Sequence, residues 1–317
     1  MWSPNCTHYL LWYIHREQLK GSSLFSVVIM GLLIVPTALL NALILLTIWR
    51  RPTFHNPSNI CICNLALSDL SVAVIAIPLM ITWKLYEMNS GEPSIVCSLA
   101  YSAMSLGSIV SGTSFFTLTL AILDRFLALR LHLHYRSMVT NGRVIRTCIS
   151  TWIGSFIVSM SLFIDVFIYD VLVLSVMIPC MGLFVFCHYK IFRIVQHHKN
   201  QIHVQMNSPQ QKTFSSLSRY KSTVSTLIYL ILVFFILYAS FIMFSFYHQL
   251  VGHTIFYMHG WTISIPLMYI NSVCNPLIYC WKLRELRQAM KKTFFHLIGK
   301  DDVSATWATK THRTAFN

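Results

Sequence analysis

Seven long apolar stretches run along the chain, and their length constrains the fold more than any other feature. A bilayer's hydrocarbon core takes roughly 20 apolar residues per helical crossing. Candidate spans lie near 22–49, 58–84, 94–129, 144–167, 171–195, 222–247 and 256–281. In lipid the backbone has no water to bond, so spans of this kind must be helices. The expected fold is an all-α membrane protein, a seven-transmembrane helix bundle with chain ends on opposite sides. Composition agrees, because 55% of the 317 residues are hydrophobic and 11% charged, more apolar surface than one water-soluble core can hide.

A net charge of +14 raises the question of nucleic acid, but the basic residues sit in alternate loops and not on one soluble face. Arg50 and Arg51 follow the first span. Arg130, Arg136, Arg143 and Arg146 join the third to the fourth, and Lys199, Lys212, Arg219 and Lys221 the fifth to the sixth. Lys282, Arg284, Arg287, Lys291 and Lys292 follow the seventh, whereas the opposite side has Arg16, Lys20 and Lys84. The positive-inside rule then puts the basic loops and C-terminus in the cytoplasm and the N-terminus outside, with the lipid bilayer and not nucleic acid as partner. The chain divides into an extracellular N-terminus (1–21), a seven-span domain (22–281), an amphipathic helix (282–298) and a cytoplasmic tail (299–317). In the amphipathic segment Trp281, Leu283, Leu286, Met290, Phe294 and Phe295 alternate with lysines and arginines, which suits a short helix lying in the interface. Residues 1–20 lack the ordered parts of a signal peptide, so the first span is expected to act as the anchor. Asn5-Cys6-Thr7 fits the glycosylation sequon on the outer side. Of nine cysteines, Cys6 and Cys97 alone look extracellular, which leaves one bridge; the others read as small buried hydrophobes.

Polar side chains within the spans point to function, since an ionisable group at mid-membrane costs about 2.5 to 3.5 kcal/mol on insertion scales. Asp69 is the clearest case, in the run Asn64-Leu65-Ala66-Leu67-Ser68-Asp69-Leu70. Asn41, Ser114, Asn271, Ser272 and Asn275 are further mid-span candidates, and Asn271 and Asn275 share a helix face. Either they are interhelical hydrogen-bond glue or they line a pocket for water and a cation. Asp124-Arg125-Phe126 ends the third span. Asn275-Pro276-Leu277-Ile278-Tyr279 ends the seventh, where proline removes a backbone bond and makes a kink.

Taken together, these residues resemble the rhodopsin-like (class A) G-protein-coupled receptors. Asn41, Asn64 to Asp69, Asp124-Arg125-Phe126, Trp152 and Asn275 to Tyr279 occur in that family's order over nearly the whole chain. The stretches 129–136 and 271–276 look most like the adenosine and melanocortin receptor group. The resemblance implies a sodium pocket of Asn41, Asp69, Ser114, Asn271, Ser272 and Asn275, with Na+ as allosteric ion and no other cofactor. It implies coupling through Asp124, Arg125, Phe126, Tyr279 and Leu133, and a packed switch of Phe115, Phe234 and Tyr238. The expected function is to bind an extracellular ligand at the plasma membrane and promote GDP/GTP exchange on a heterotrimeric G protein, with arrestin and receptor kinases as further partners. A transporter or channel with Asp69 as ion site, or a receptor-like protein that does not couple, are the alternatives.

Several positions depart from the family. Tyr238 stands where the family has its toggle tryptophan and Ser240 where it has a kink proline. Tyr220, between Arg219 and Lys221, occupies the place of the acid that would restrain Arg125, so appreciable basal signalling is expected. Pro179 is displaced relative to Tyr189, and His188 could take that tyrosine's place. The short 165–171 connection has no cysteine, so the usual bridge to helix three cannot form and a Cys6–Cys97 link is expected instead.

Gly107, about five helical turns before Arg125, offers no counter-ion to an amine. Tyr269 replaces the retinal lysine. Ala100, Met104 and Leu79 replace melanocortin-type acids, and Ser245 an adenosine-type asparagine. The expected pocket is Met104, Gly107, Ser108, Ser111, Phe241, Ser245, Trp261, Ile265 and Tyr269. Outer-rim Glu87, Glu92, Asp165, Asp170, His248, His253 and His259 could meet a basic peptide or sense pH, although solvated rim charges are the simpler reading. His132-x-His134 and His197-His198 lack companion ligands, so no metal beyond Na+ is expected. No phosphate loop, nucleophile elbow or HExxH pattern suggests an enzyme.

Overall fold

The structure, a computed structural model, describes residues 6–131, 134–205 and 212–299, without the side chains of Thr7, Arg125, Leu129, Arg136, His188, Ile191, Phe192 and those from 194 to 231. Among the described residues, seven helices are long and apolar enough to cross a membrane. A short helix α1 (Thr7–Ile14) precedes the first span, α2 (Arg16–Trp49). The second span is α3 (Pro57–Ser71) and α4 (Ile77–Met88), joined through a widened turn at Val72–Ala76. The third is α5 (Pro93–Leu131), followed by the single turn α6 (Tyr135–Met138). Then come α7 (Asn141–Met160), α8 (Val166–Gln205), α9 (Lys212–Val251), α10 (Ile255–Lys282) and α11 (Arg284–Leu297).

Local chemistry sets the ends. Asn56 caps α3 by accepting the Asn59 N–H at 3.0 Å, with Pro57 at the first helical position. Asp165 accepts the N–H groups of Phe167 (2.6 Å) and Ile168 (3.2 Å), so α8 starts five residues before the expected 171 and takes in Asp170. The helix that carries the first span likewise begins at Arg16, ahead of residue 22, because nothing between those positions stops a helix. Gly252, at φ +82°, closes α9 and sends the chain into α10. Ahead of Pro78 the Ile77 N–H reaches back to the Val72 carbonyl, five residues away.

Outward faces are apolar: Leu32 is 69% exposed and Ile236 72%, as lipid-facing side chains would be. Inside, α5 packs against α3, α4, α7 and α8, while α10 lies between α2 and α9. In α11, Leu286, Ala289, Met290 and Thr293 are buried and Phe294 and Phe295 are exposed. That helix packs on α2 and α10 with its buried face.

Two prolines in α10 show how neighbouring helices complete the backbone. Pro276 has no N–H for the Ser272 carbonyl, and Pro266 none for the Thr262 carbonyl. Asn41 Nδ2 on α2 donates to Ser272 O at 3.0 Å, and Ser26 Oγ on α2 donates to Thr262 O at 2.6 Å. Both freed acceptors are thus satisfied from the first span, which positions α10 for the site.

Candidate functional site

Asp69 lies at the centre of the bundle and is fully buried. Ser114 Oγ of α5 donates to its Oδ1 at 3.0 Å, and Ser272 Oγ of α10 donates to the same oxygen at 2.9 Å. Asn275 Nδ2 donates to Oδ2 at 2.8 Å. A single carboxylate therefore ties three spans together. Asn41 is placed differently from expectation. Asn41 spends its amide on the Thr37 and Ser272 carbonyls, the second of them released by Pro276. Asn271 is buried with its Oδ1 unpartnered, as is Oδ1 of Asn275.

Towards the end of the bundle that carries α11, Asp124 accepts from Ser58 Oγ at 2.7 Å and Tyr135 Oη at 2.5 Å. Asn64 receives the Trp152 indole N–H at 3.0 Å and donates to Thr117 at 2.6 Å, joining α3, α5 and α7. Tyr279 is buried, and Phe126 meets Phe186 at 6.3 Å between centroids. Leu133, Asn5 and His132, and the side chains of Arg125, His197 and His198, lie outside the described residues.

Above Asp69, Phe234 stacks on Tyr238 with centroids 4.0 Å apart, and Phe115 meets Phe234 at 5.3 Å. Over this stack lies a cavity of about 90 Å³. Met104, Gly107, Ser108, Ser111, Phe241, Ile265 and Tyr269 line it. Gly107 approaches Tyr269 closely, since a Cβ there would lie 2.9 Å from Tyr269 Oη and that hydroxyl would have to shift. Ser245 and Trp261, expected in this lining, are not part of it. The reason is α1, which folds into the mouth of the bundle. Trp12 meets Trp261 at 5.5 Å and donates its indole N–H to Thr262 Oγ1 at 3.3 Å, and Tyr9 meets Trp83 at 5.6 Å. The helix is tethered by a Cys6–Cys97 disulfide, with Cα atoms 6.1 Å apart.

The rim differs from the simpler reading of it. Glu92 and Asp165 are exposed, but Glu87 is buried and accepts from Lys84 Nζ at 3.1 and 3.2 Å. Asp170 is buried and accepts from His248 Nδ1 at 3.0 Å. His8 and His253 complete this group, while His259 turns away to Ser22 at 3.0 Å. Burial, then the neighbouring imidazoles, hold His8 well below the ordinary histidine range. Partial burial, then His248, holds the exposed His253 at about 4, so both rings are neutral at pH 7. Tyr9, Trp12, His8 and Lys84 were absent from the sequence-derived site. Cys6, Tyr9 and Trp12, spaced by three and all buried, form a helical stripe that could have revealed the plug.

Comparisons with known proteins agree with this architecture. The family described as the 7 transmembrane receptor (rhodopsin family) matches residues 40–170 and 161–279, so the chain belongs to that receptor family. It is similar to the human adenosine receptor A2a, at 23% identity over 313 residues covering 86% of this chain and 73% of that receptor. Shorter similarities link it to human olfactory receptor 4K2 (28% over 138 residues, 44% of this chain and 43% of that receptor) and the Caenorhabditis elegans tyramine receptor tyra-2 (29% over 152 residues, 47% and 30%).

Proposed function

We propose that this protein is a plasma-membrane receptor with its N-terminus outside, which binds an extracellular ligand beneath α1 and promotes GDP/GTP exchange on a heterotrimeric G protein. The observation that carries this reading is the buried Asp69 cluster joining α3, α5 and α10, in a chain of a receptor family. A carboxylate held by neutral donors can exchange a small cation for a proton or water, and a shift between those states can bias the packing of three spans. The oxygens present fit Na+: the Asp69 carboxylate, the Ser114 and Ser272 hydroxyls, and the unpartnered Oδ1 atoms of Asn271 and Asn275. Bound there, the ion would supply positive charge to a buried acid and favour the resting arrangement.

The ligand class follows from the cavity, whose lining contains no charged side chain and a few hydroxyls, among them Ser108, Ser111 and Tyr269. At about 90 Å³ it lies below the roughly 300 Å³ at which ligand pockets begin, so an uncharged, largely apolar ligand must enlarge it. The Phe234–Tyr238 stack beneath is the element such enlargement would move. Asp124, Arg125, Phe126, Leu133 and Tyr279 would form the inner coupling surface, with arrestin and receptor kinases as later partners. Asn5 would carry the glycan.

The test is nucleotide exchange on a panel of G proteins with reconstituted wild-type and Arg125→Ala chains. Ligand-free exchange by the wild type that Arg125→Ala reduces at least tenfold is expected. No exchange on any G protein, at good surface expression, would leave a receptor-like protein that does not couple.

A further inference from the structure

Three imidazoles and a buried carboxylate converge at the mouth from four parts of the chain. His8 comes from α1, His248 from the last turn of α9, His253 from the α9–α10 connection and Asp170 from α8. One nitrogen from each histidine lies within 4.8 Å of the others. The Nε2 atoms of His248 and His253 are 3.3 Å apart. Two nitrogens held about 2.05 Å from a common tetrahedral ion are themselves separated by roughly 3.3 Å. His8 meets both rings edge-on, His253 with centroids 4.6 Å apart and His248 at 5.8 Å.

The orientation of His248 is set by its surroundings. Its Nδ1 donates to Asp170 Oδ2 at 3.0 Å, which keeps the proton on Nδ1 and leaves the Nε2 lone pair pointing at the other rings. Tyr257 stacks on the same ring at 4.6 Å and 11°, fixing its plane. A buried carboxylate behind the remote nitrogen of a ligating histidine is the arrangement that orients and strengthens metal-bound imidazole. Without a metal, the same 3.3 Å contact would be a hydrogen bond from His253 to His248, with His8 left to pack against Tyr9 and Trp12 at 5.0 and 5.1 Å.

We propose that His8, His248 and His253 bind a zinc ion, or a similar divalent transition ion, with Asp170 as the carboxylate that positions His248. A fourth position stays open to water or to a ligand group. The ion joins the N-terminal plug to the outer end of α9, two elements otherwise connected through side-chain packing. That it damps signalling by holding α9 rests on the receptor reading above; that it binds does not.

The test uses the full chain in lipid nanodiscs, stripped with chelator and titrated with Zn2+ against Mg2+, with Co2+ absorption reporting coordination geometry. A saturable rise in unfolding midpoint at one Zn2+ per chain, without a response to Mg2+, is expected. His8→Ala and His253→Ala should each weaken binding at least tenfold, and Asp170→Asn by about 10- to 100-fold. Midpoints in chelator verify that each variant is folded, and His253, exposed on its turn, gives the cleanest readout. No saturable binding, or equal affinity in the histidine variants, would overturn the site; the latter would send the ion to thiols such as Cys61 and Cys148. Nucleotide exchange measured on the same samples separates the two readings. Zn2+ binding without any exchange activity would refute coupling and leave the site standing, and exchange without binding would do the reverse.

Discussion

Asp69 and Asp170 are both buried carboxylates, at 0% and 7% exposure, yet their surroundings solve the same electrostatic problem in opposite ways. Asp69 is held by two hydroxyls and an amide, all neutral donors. Such partners satisfy its lone pairs but leave its charge uncompensated, so the state of that site depends on what mobile proton or cation arrives. Asp170 faces an imidazole, which can supply either a neutral N–H or a positive charge and so balances the site locally. The first arrangement suits a switch in the middle of the bundle; the second suits a fastening at its mouth.

Glu87 sharpens the contrast as a third buried acid, matched by the ammonium of Lys84 at 3.1 Å. Glu87→Ala should destabilise the protein by about 3 to 5 kcal/mol, because Lys84 would remain buried without its partner. Replacing the pair by Met and Leu should restore most of the loss, measured as thermal midpoint in nanodiscs; a mild single variant would show that water reaches Lys84.

Smaller effects are expected at mid-bundle. Asp69→Ala strands the donors of Ser114, Ser272 and Asn275, but hydroxyls can turn to backbone carbonyls, so a loss of about 2 kcal/mol is expected. Asp69→Asn should be nearly neutral for stability while abolishing a Na+-dependent rise in midpoint relative to choline. Persistence of that rise in the Asn variant would remove the distinction between the two acids.

The smallest effect concerns protons at the mouth. Unfolded histidines titrate near pH 6.5, whereas His253 in the folded chain titrates at about 4 and His8 is also held low. Below pH 6.5 the unfolded chain takes up protons that the folded one refuses. Stability is therefore complete above that pH and declines as pH falls towards 4. In chelator, the midpoint should drop from about pH 7 to about pH 5, with a shallower slope in His253→Ala. A flat profile in the wild type would show that these rings protonate freely when folded.

The two regions were not equally legible in the sequence. Asp69, Ser114, Ser272 and Asn275 stood out because polar atoms are costly in lipid, and periodicity alone places several on inward faces. The roles of Asn41 and Ser26 as partners for carbonyls released by Pro276 and Pro266 depend on which helix lies alongside α10, and no local pattern encodes that. The mouth was harder still. The α1 segment is short and interrupted by polar residues, so its docking depends on the Trp12, Trp83 and Trp261 rings meeting across distant parts of the chain. Asp170 and His248, separated by 78 positions, each looked like an ordinary surface charge until the early start of α8 placed one opposite the other.

The bridge between Cys6 and Cys97 spans 91 positions and encloses the first two crossings in a covalent ring. A protease cut in the turn around 50–56 would open that ring without releasing a fragment. Non-reducing electrophoresis of the nicked receptor should show one full-length band, and dithiothreitol should resolve it into two pieces.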